Sequence, residues 1–165
     1  MNARPTVVLI AVTALVDQLS KAFALSKLAL GEPAAIVPGF NLTLGVNEGA
    51  SFGMLSSVMT GKPLLMAALT GAVTVFLAVI AFRARSPLER AGYSLIVGGG
   101  LGNIIDRLRH GAVTDFLDLY WRDWHWPSFN VADIAISVGV LCVVAASLSV
   151  SRPRSHVTRI DSPVQ

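Results

Sequence analysis

Residues 63–82 (PLLMAALTGAVTVFLAVIAF) run for twenty positions without a charge. That matches the ~20 residues needed to cross a bilayer, where only a helix or a closed barrel satisfies every backbone hydrogen bond. Three further apolar stretches accompany it. Residues 131–150 carry one charge, Asp133, near their start. Residues 88–108 are apolar and glycine-rich, with charges confined to their ends. Residues 5–25 are apolar through Val16 and then hold Asp17, Gln18, Ser20 and Lys21. With 53% hydrophobic and 14% charged residues, the chain exceeds the apolar content of an ordinary soluble domain. The expected fold class is an all-α membrane protein with four transmembrane helices.

The first stretch has a competing reading. Arg4, the apolar run and Ala22-Phe23-Ala24 resemble a secretory leader with a small-residue cleavage site. Asp17 and Lys21 would interrupt such a leader, and at i, i+4 they share one helical face and can pair. A retained helix is the better reading. Lysines and arginines counted by loop set the orientation. Arg4, Arg83, Arg85, Arg90, Arg152, Arg154 and Arg159 crowd short segments. Lys21, near the end of the first stretch, falls on the other side with Lys27, Lys62, Arg107, Arg109 and Arg122, which are spread over two long loops, residues 26–62 and 107–129. Density therefore puts both termini in the cytoplasm and both long loops outside. The net charge of +3 is this topogenic arginine, and no basic-aromatic stripe supports nucleic-acid binding. Residues 1–150 are expected to form a single membrane unit, and residues 151–165 a disordered, basic cytoplasmic tail. Cys142 stands alone, so it forms no internal disulfide.

The outer loops carry their own patterns. Phe40, Leu42, Leu44 and Val46 alternate with Asn41, Thr43 and Gly45, which is strand periodicity. A second strand is expected over Val113–Trp121, pairing with the first as a small extracytoplasmic β-sheet. Phe52, Leu55 and Met59 fall at helical spacing, as in an amphipathic helix lying in the membrane interface. Trp121, Trp124 and Trp126 suit an interfacial aromatic belt.

The chemistry is concentrated at one face. Gly99, Asn103 and Arg107 are spaced by four and share a helical face. Helix packing through glycine with a snorkelling arginine is the plainer account of that spacing. Asn130 followed three residues later by Asp133 resembles a capping box, and Asp115 alone reads as a loop residue. Together, however, the acids cluster at one membrane face, where ionisable groups are costly and usually functional. Two close carboxylates share a proton, activate a water and protonate a leaving amine. From the residues alone, Asp106 and Asp115 both stay open as the partner of Asp133. The serines lack a G-x-S-x-G setting and the histidines lack HExxH spacing, so neither a metal nor a cofactor is expected. A proton-coupled carrier would string its acids through the membrane depth. A non-catalytic assembly factor would tolerate the loss of each carboxylate.

Five blocks carry a family resemblance: DQLSK (17–21), NEGASFG (47–53), GNIIDR (102–107), VTDF (113–116) and FNVAD (129–133). In this order and spacing the chain resembles the lipoprotein signal peptidases, or signal peptidase II. The resemblance implies a bacterial inner-membrane aspartyl endopeptidase. Such an enzyme removes signal peptides from prolipoproteins by cutting before a diacylglyceryl-modified cysteine. It implies catalytic roles for Asp115 and Asp133, and not for Asp106. Asn47, Gly49, Asn103, Arg107 and Asn130 would orient substrate or the dyad, and Asp17 with Lys21 would be a structural pair. The implied partners are lipid-modified prolipoproteins and membrane lipid. The implied enzyme is a multi-pass monomer with its active site near the periplasmic face.

Overall fold

The computed structural model describes residues 3–49 and 61–150. In chain order the elements are α1 (Arg4–Lys27), β1 (Pro33–Val37), β2 (Phe40–Asn47), α2 (Pro63–Arg83), α3 (Pro87–His110), β3 (Val113–Trp121), β4 (Trp124–His125) and α4 (Val131–Val150). The interfacial helix expected over residues 51–59 and the tail over 151–165 lie outside the described residues.

Among the described residues, α1, α2 and α4 are long and apolar enough to cross a membrane. Each turns large apolar side chains outward, as with Leu19, Val75 and Leu141, all more than 60% exposed. α3 equals α1 in length at 24 residues, yet it is not in that set. Its glycines, Asn103, Asp106 and Arg107 dilute its apolar character, and its position explains why they are tolerated. α3 packs against all three other helices and buries Gly98, Gly99, Gly100, Gly102, Asn103 and Asp106. Successive helical residues point about 100° apart, so the triple glycine addresses three neighbours in turn. Gly98 faces Thr13 of α1, Gly99 the Ala132 carbonyl of α4, and Gly100 Thr74 of α2. A Cβ at any of them would come within 2.5–2.7 Å of that neighbour. Small residues of this kind let helices approach closely where lipid supplies no hydrophobic drive to associate.

The ends of α3 follow from local sequence. Ser86 accepts from the Glu89 backbone N–H at 3.0 Å, ahead of a proline in the first turn. Gly111 closes the helix at φ +77°, its N–H donating to the Arg107 carbonyl at 3.1 Å. β3 then starts two residues later, so the segment bearing Asp115 leaves directly from the top of the central helix.

The two expected strands pair antiparallel, within a four-stranded sheet of order β1-β2-β3-β4. The flanking strands carry no periodic signal in the sequence. β1 opens on Pro33 at a sheet edge, where a missing N–H is harmless, and β4 is two residues long. A register shift between Leu42 and Gly45 also interrupts the simple alternation of β2. Asn41 and Leu44 are buried while Val46 is exposed. Leu44 and Phe116 pack on Ala24 of α1, flanked by Leu28 and Val131. That contact seats the sheet on the helix ends.

Candidate active site

Asp115 lies mid-strand in β3, directly opposite Gly45 of β2. Gly45 presents no side chain, so Asn47, two residues on and on the same face, reaches Asp115 diagonally. Asn47 Nδ2 donates to Asp115 Oδ2 at 3.0 Å. Its own Oδ1 accepts the Gly49 backbone N–H at 2.9 Å, in a turn that holds Gly49 at φ +88°. This left-handed conformation suits glycine, and a Cβ there would also crowd Met66. The Gly49 backbone N–H therefore fixes which end of the Asn47 amide faces Asp115.

Asp133 sits in the first turn of α4. The capping box is present: the Asp133 N–H donates to Asn130 Oδ1, and the Asn130 N–H to Asp133 Oδ2, both at 3.1 Å. Capping occupies only one carboxylate oxygen. Asp133 Oδ1 accepts from Asn103 Nδ2 at 3.1 Å. Asn130, fully buried, also spans the gap, its Nδ2 donating to Asp115 Oδ1 at 2.6 Å. Backbone pairing of Phe129 with Leu117 brings the start of α4 to β3. Both carboxylates therefore line one cleft.

The electrostatics are uneven. Burial pushes the Asp115 carboxyl up to about 6, opposed by hydrogen bonds from Asn47 and Asn130. The Asp133 charge adds to the rise, and the Lys21 charge opposes it. Lys21 is 2% exposed and gives each N–H of its ammonium an acceptor. These are Asn103 Oδ1 at 2.8 Å, Asp17 Oδ2 at 2.9 Å and Asp106 Oδ2 at 3.2 Å. The expected Asp17–Lys21 pair is therefore one edge of a larger cluster. Asp17 Oδ1 also accepts the Ala132 N–H, and Asp106 Oδ2 the Thr114 N–H, both at 2.9 Å. Gln18, which sequence reasoning missed although it sits beside Asp17, donates to Asp106 Oδ1 at 3.0 Å. Asp106 thus belongs to the Lys21 cluster and anchors the start of β3. Breaking such a buried pair by removing one partner typically costs about 3–5 kcal/mol.

Arg107 donates through Nη1 to the Asn103 carbonyl at 3.2 Å. Its buried Nε has no partner among the described residues. The cleft in front of the carboxylates has a volume of about 1000 Å³. It runs from Asn47, Asp115 and Asp133 along Ile134, Val138 and Leu141 of α4, with Trp126, Pro127 and Ser128 as a side wall. Behind that wall is a second unforeseen pair, His125 Nδ1 and Asp118 Oδ1 at 2.8 Å. Burial acts to raise Asp118, but hydrogen bonds from His125, Thr43 and Asn41 outweigh it and hold the group below the ordinary range.

Two solved structures share this fold, both described as bacterial membrane enzymes and determined by the in meso method. The one at 1.9 Å resolution aligns with a TM-score of 0.75 at 28% identity, covering 87% of this chain and 92% of the other. The one at 2.3 Å aligns with a TM-score of 0.76 at 26% identity, covering 98% and 94%. The class is that of a bacterial membrane enzyme. Residues 9–149 match the family model for signal peptidase (SPase) II. The lipoprotein signal peptidase of Yersinia pseudotuberculosis is 42% identical over 135 residues, which is 81% of this chain and 80% of that protein. That of Coxiella burnetii is 46% identical over 136 residues, 81% and 83% of the two chains. The chain belongs to the signal peptidase II family, whose members are aspartic peptidases.

Proposed function

We propose that Asp115 and Asp133 are the catalytic dyad of a peptidase that removes signal peptides from bacterial prolipoproteins, cutting before the diacylglyceryl-modified cysteine. The observation that carries this reading is the bridge through Asn130, which bonds one carboxylate with its amide and the other with its backbone. The pair holds one proton between its members, and burial of Asp115 favours the protonated form there. The ionised member takes a proton from water as the water oxygen attacks the scissile carbonyl carbon. The protonated member gives its proton to the carbonyl oxygen, forming a neutral diol. As the C–N bond breaks, the pair gives its proton to the leaving nitrogen and takes one from a diol hydroxyl. That hydroxyl's oxygen becomes the carbonyl of the new acid, so the pair again holds one proton.

The cleft suits a substrate delivered by the bilayer. Ile134, Val138 and Leu141 are 43–68% exposed and lead from the lipid-facing side of α4 to the dyad. The signal peptide lies against this helix while the acyl chains of the modified cysteine stay in lipid. α3 is the fourth span, its polar residues screened by the other three helices. Both termini are cytoplasmic, and the sheet and dyad lie at the periplasmic face of the inner membrane. Residues 1–150 act as one monomeric unit with a disordered cytoplasmic tail. Asn103 and Arg107 orient substrate and dyad.

The test is cleavage of a diacylglyceryl-modified prolipoprotein by the purified protein in detergent. Asp115→Asn and Asp133→Asn should each lower kcat by about 10²–10⁴-fold, and the double variant by little more, because the groups act as a unit. Near wild-type cleavage by both single variants at normal abundance would remove this mechanism.

A further inference from the structure

Among the described residues Lys21 is the largest fully buried side chain, and none of its three acceptors is a member of the dyad. We propose that Lys21 is a positioning residue for cleavage: its ammonium fixes which end of the Asn103 amide faces Asp133. This rests on the reading of Asp115 and Asp133 as the dyad.

An ammonium only donates, so the Asn103 atom 2.8 Å from Lys21 Nζ is the amide oxygen. That choice turns the Asn103 NH₂ toward Asp133 Oδ1, 3.1 Å away. Rotated by half a turn, the amide would set NH₂ against ammonium and oxygen against carboxylate. Asn103 is 8% exposed and Lys21 2%, so little water would relieve either clash.

The other two site asparagines show why a lysine is needed here. Asn47 is oriented by the Gly49 backbone N–H, and Asn130 by the Asp133 backbone N–H. Asn103 lies inside α3, where helical hydrogen bonds consume the backbone N–H groups. Its orienting donor must come from another element, and α1 supplies it. The second donor on Asn103 Oδ1 is Asn130 Nδ2 at a longer 3.3 Å, and that group makes its shorter bond to Asp115. Asp17 and Asp106 take the remaining ammonium protons and keep the charge in place. Gly102 has no Cβ, which would collide with the Asp17 carboxylate.

Replacing Lys21 alone would strand two buried carboxylates. The test is therefore the triple variant Asp17→Asn, Lys21→Met, Asp106→Asn, whose new amides keep acceptors for the Ala132 and Thr114 N–H groups. In detergent, with a lipid-modified prolipoprotein, its kcat should fall about ten- to hundred-fold with KM within about two-fold of wild type. Adding Asn103→Ala should cost less than about three-fold more in the triple variant, against the full loss in wild type. A triple variant with wild-type kcat would overturn the proposal. So would an Asn103→Ala penalty equal in both backgrounds. If the triple variant does not fold, Lys21→Arg against Lys21→Gln decides. Arginine is also donor-only and should retain more kcat per folded molecule, whereas a glutamine amide presents either end. Equal turnover by the two would refute the assignment. Active Asp115→Asn and Asp133→Asn variants would instead remove the dyad reading itself.

Discussion

Leu117 and Phe129 form an isolated antiparallel bridge, the Leu117 N–H donating to the Phe129 carbonyl at 2.9 Å and the Phe129 N–H returning to Leu117 at 3.1 Å. Asp115 lies two residues before one end of this bridge, and Asn130 one residue after the other. The bridge therefore sets the spacing between β3 and the capped start of α4, and with it the approach of the two carboxylates. It uses backbone atoms, so side-chain substitution and backbone disruption should separate.

Phe129→Pro removes the second of these donors, and Phe129→Ala keeps both. One lost bond plus ring strain costs about 1–3 kcal/mol. Phe129→Pro should lower kcat at least about ten-fold, while Phe129→Ala, which trims the cleft lining, should act mainly on KM. Steady-state cleavage of a lipid-modified prolipoprotein checks this. Matching kcat values for the two variants would show that the bridge does not govern the dyad.

His125 and Asp118 should affect binding instead. Their pairing ties β4 to β3 behind the wall formed by Trp126, Pro127 and Ser128. Loss of one charge-assisted hydrogen bond should loosen that wall. His125→Ala is expected to raise KM about three- to ten-fold at pH 7 and to leave kcat within about two-fold. Asp118 is held below its ordinary range, so its stabilising contribution is present above the unfolded carboxylate pKa and fades only as pH falls below it. A fall in kcat with KM unchanged would contradict this role.

Part of this site was legible in the sequence because its geometry is local. Asp17 and Lys21 pair at i, i+4, and Asn130 with Asp133 closes a capping box at i, i+3. Hydropathy gave the helices, and alternation gave β2 and β3. Long-range packing was not legible. Asp106 joins Lys21 only because Gly102 lets α1 and α3 approach closely, and no local spacing announces that. Without it, Asp106 and Asp115 are equivalent acids in the sequence. Asn130 and Asp133 do cap α4, and Gly99 does pack on Ala132, as their local spacing indicates. The same bonds that start α4 and seat it on α3 hold the two carboxylates proposed as the dyad.

The raised Asp115 predicts a pH limb. In the proposed mechanism cleavage needs one proton on the pair, so kcat/KM should decline on the alkaline side of about pH 6, where Asp115 is expected to lose its proton. Asn47 donates to the ionised form and holds the value down. Asn47→Ala should therefore move the limb upward by about one pH unit, with lower activity at the optimum. An unmoved or acid-shifted limb in pH profiles of the purified enzyme would show that Asn47 does not tune this group.

The same shift has a stability signature that does not depend on activity. An acid whose folded pKa exceeds its unfolded value costs nothing while both states are protonated, below about pH 4. As pH rises toward 6, the unfolded chain ionises Asp115 while the folded protein resists. Stability then falls by on the order of 3 kcal/mol and stays lower at higher pH. Asp115→Asn removes this ionisation. It also turns an amide NH₂ toward either Asn47 or Asn130, both of which donate to Asp115. That adds a constant penalty at every pH. The expected result is thus a difference in slope: between pH 4 and 7, thermal unfolding in detergent should show wild type losing stability relative to Asp115→Asn. Parallel curves for the two proteins would mean that Asp115 titrates as an ordinary solvated carboxylate. Burial would then have no part in keeping the proton that the proposed mechanism needs.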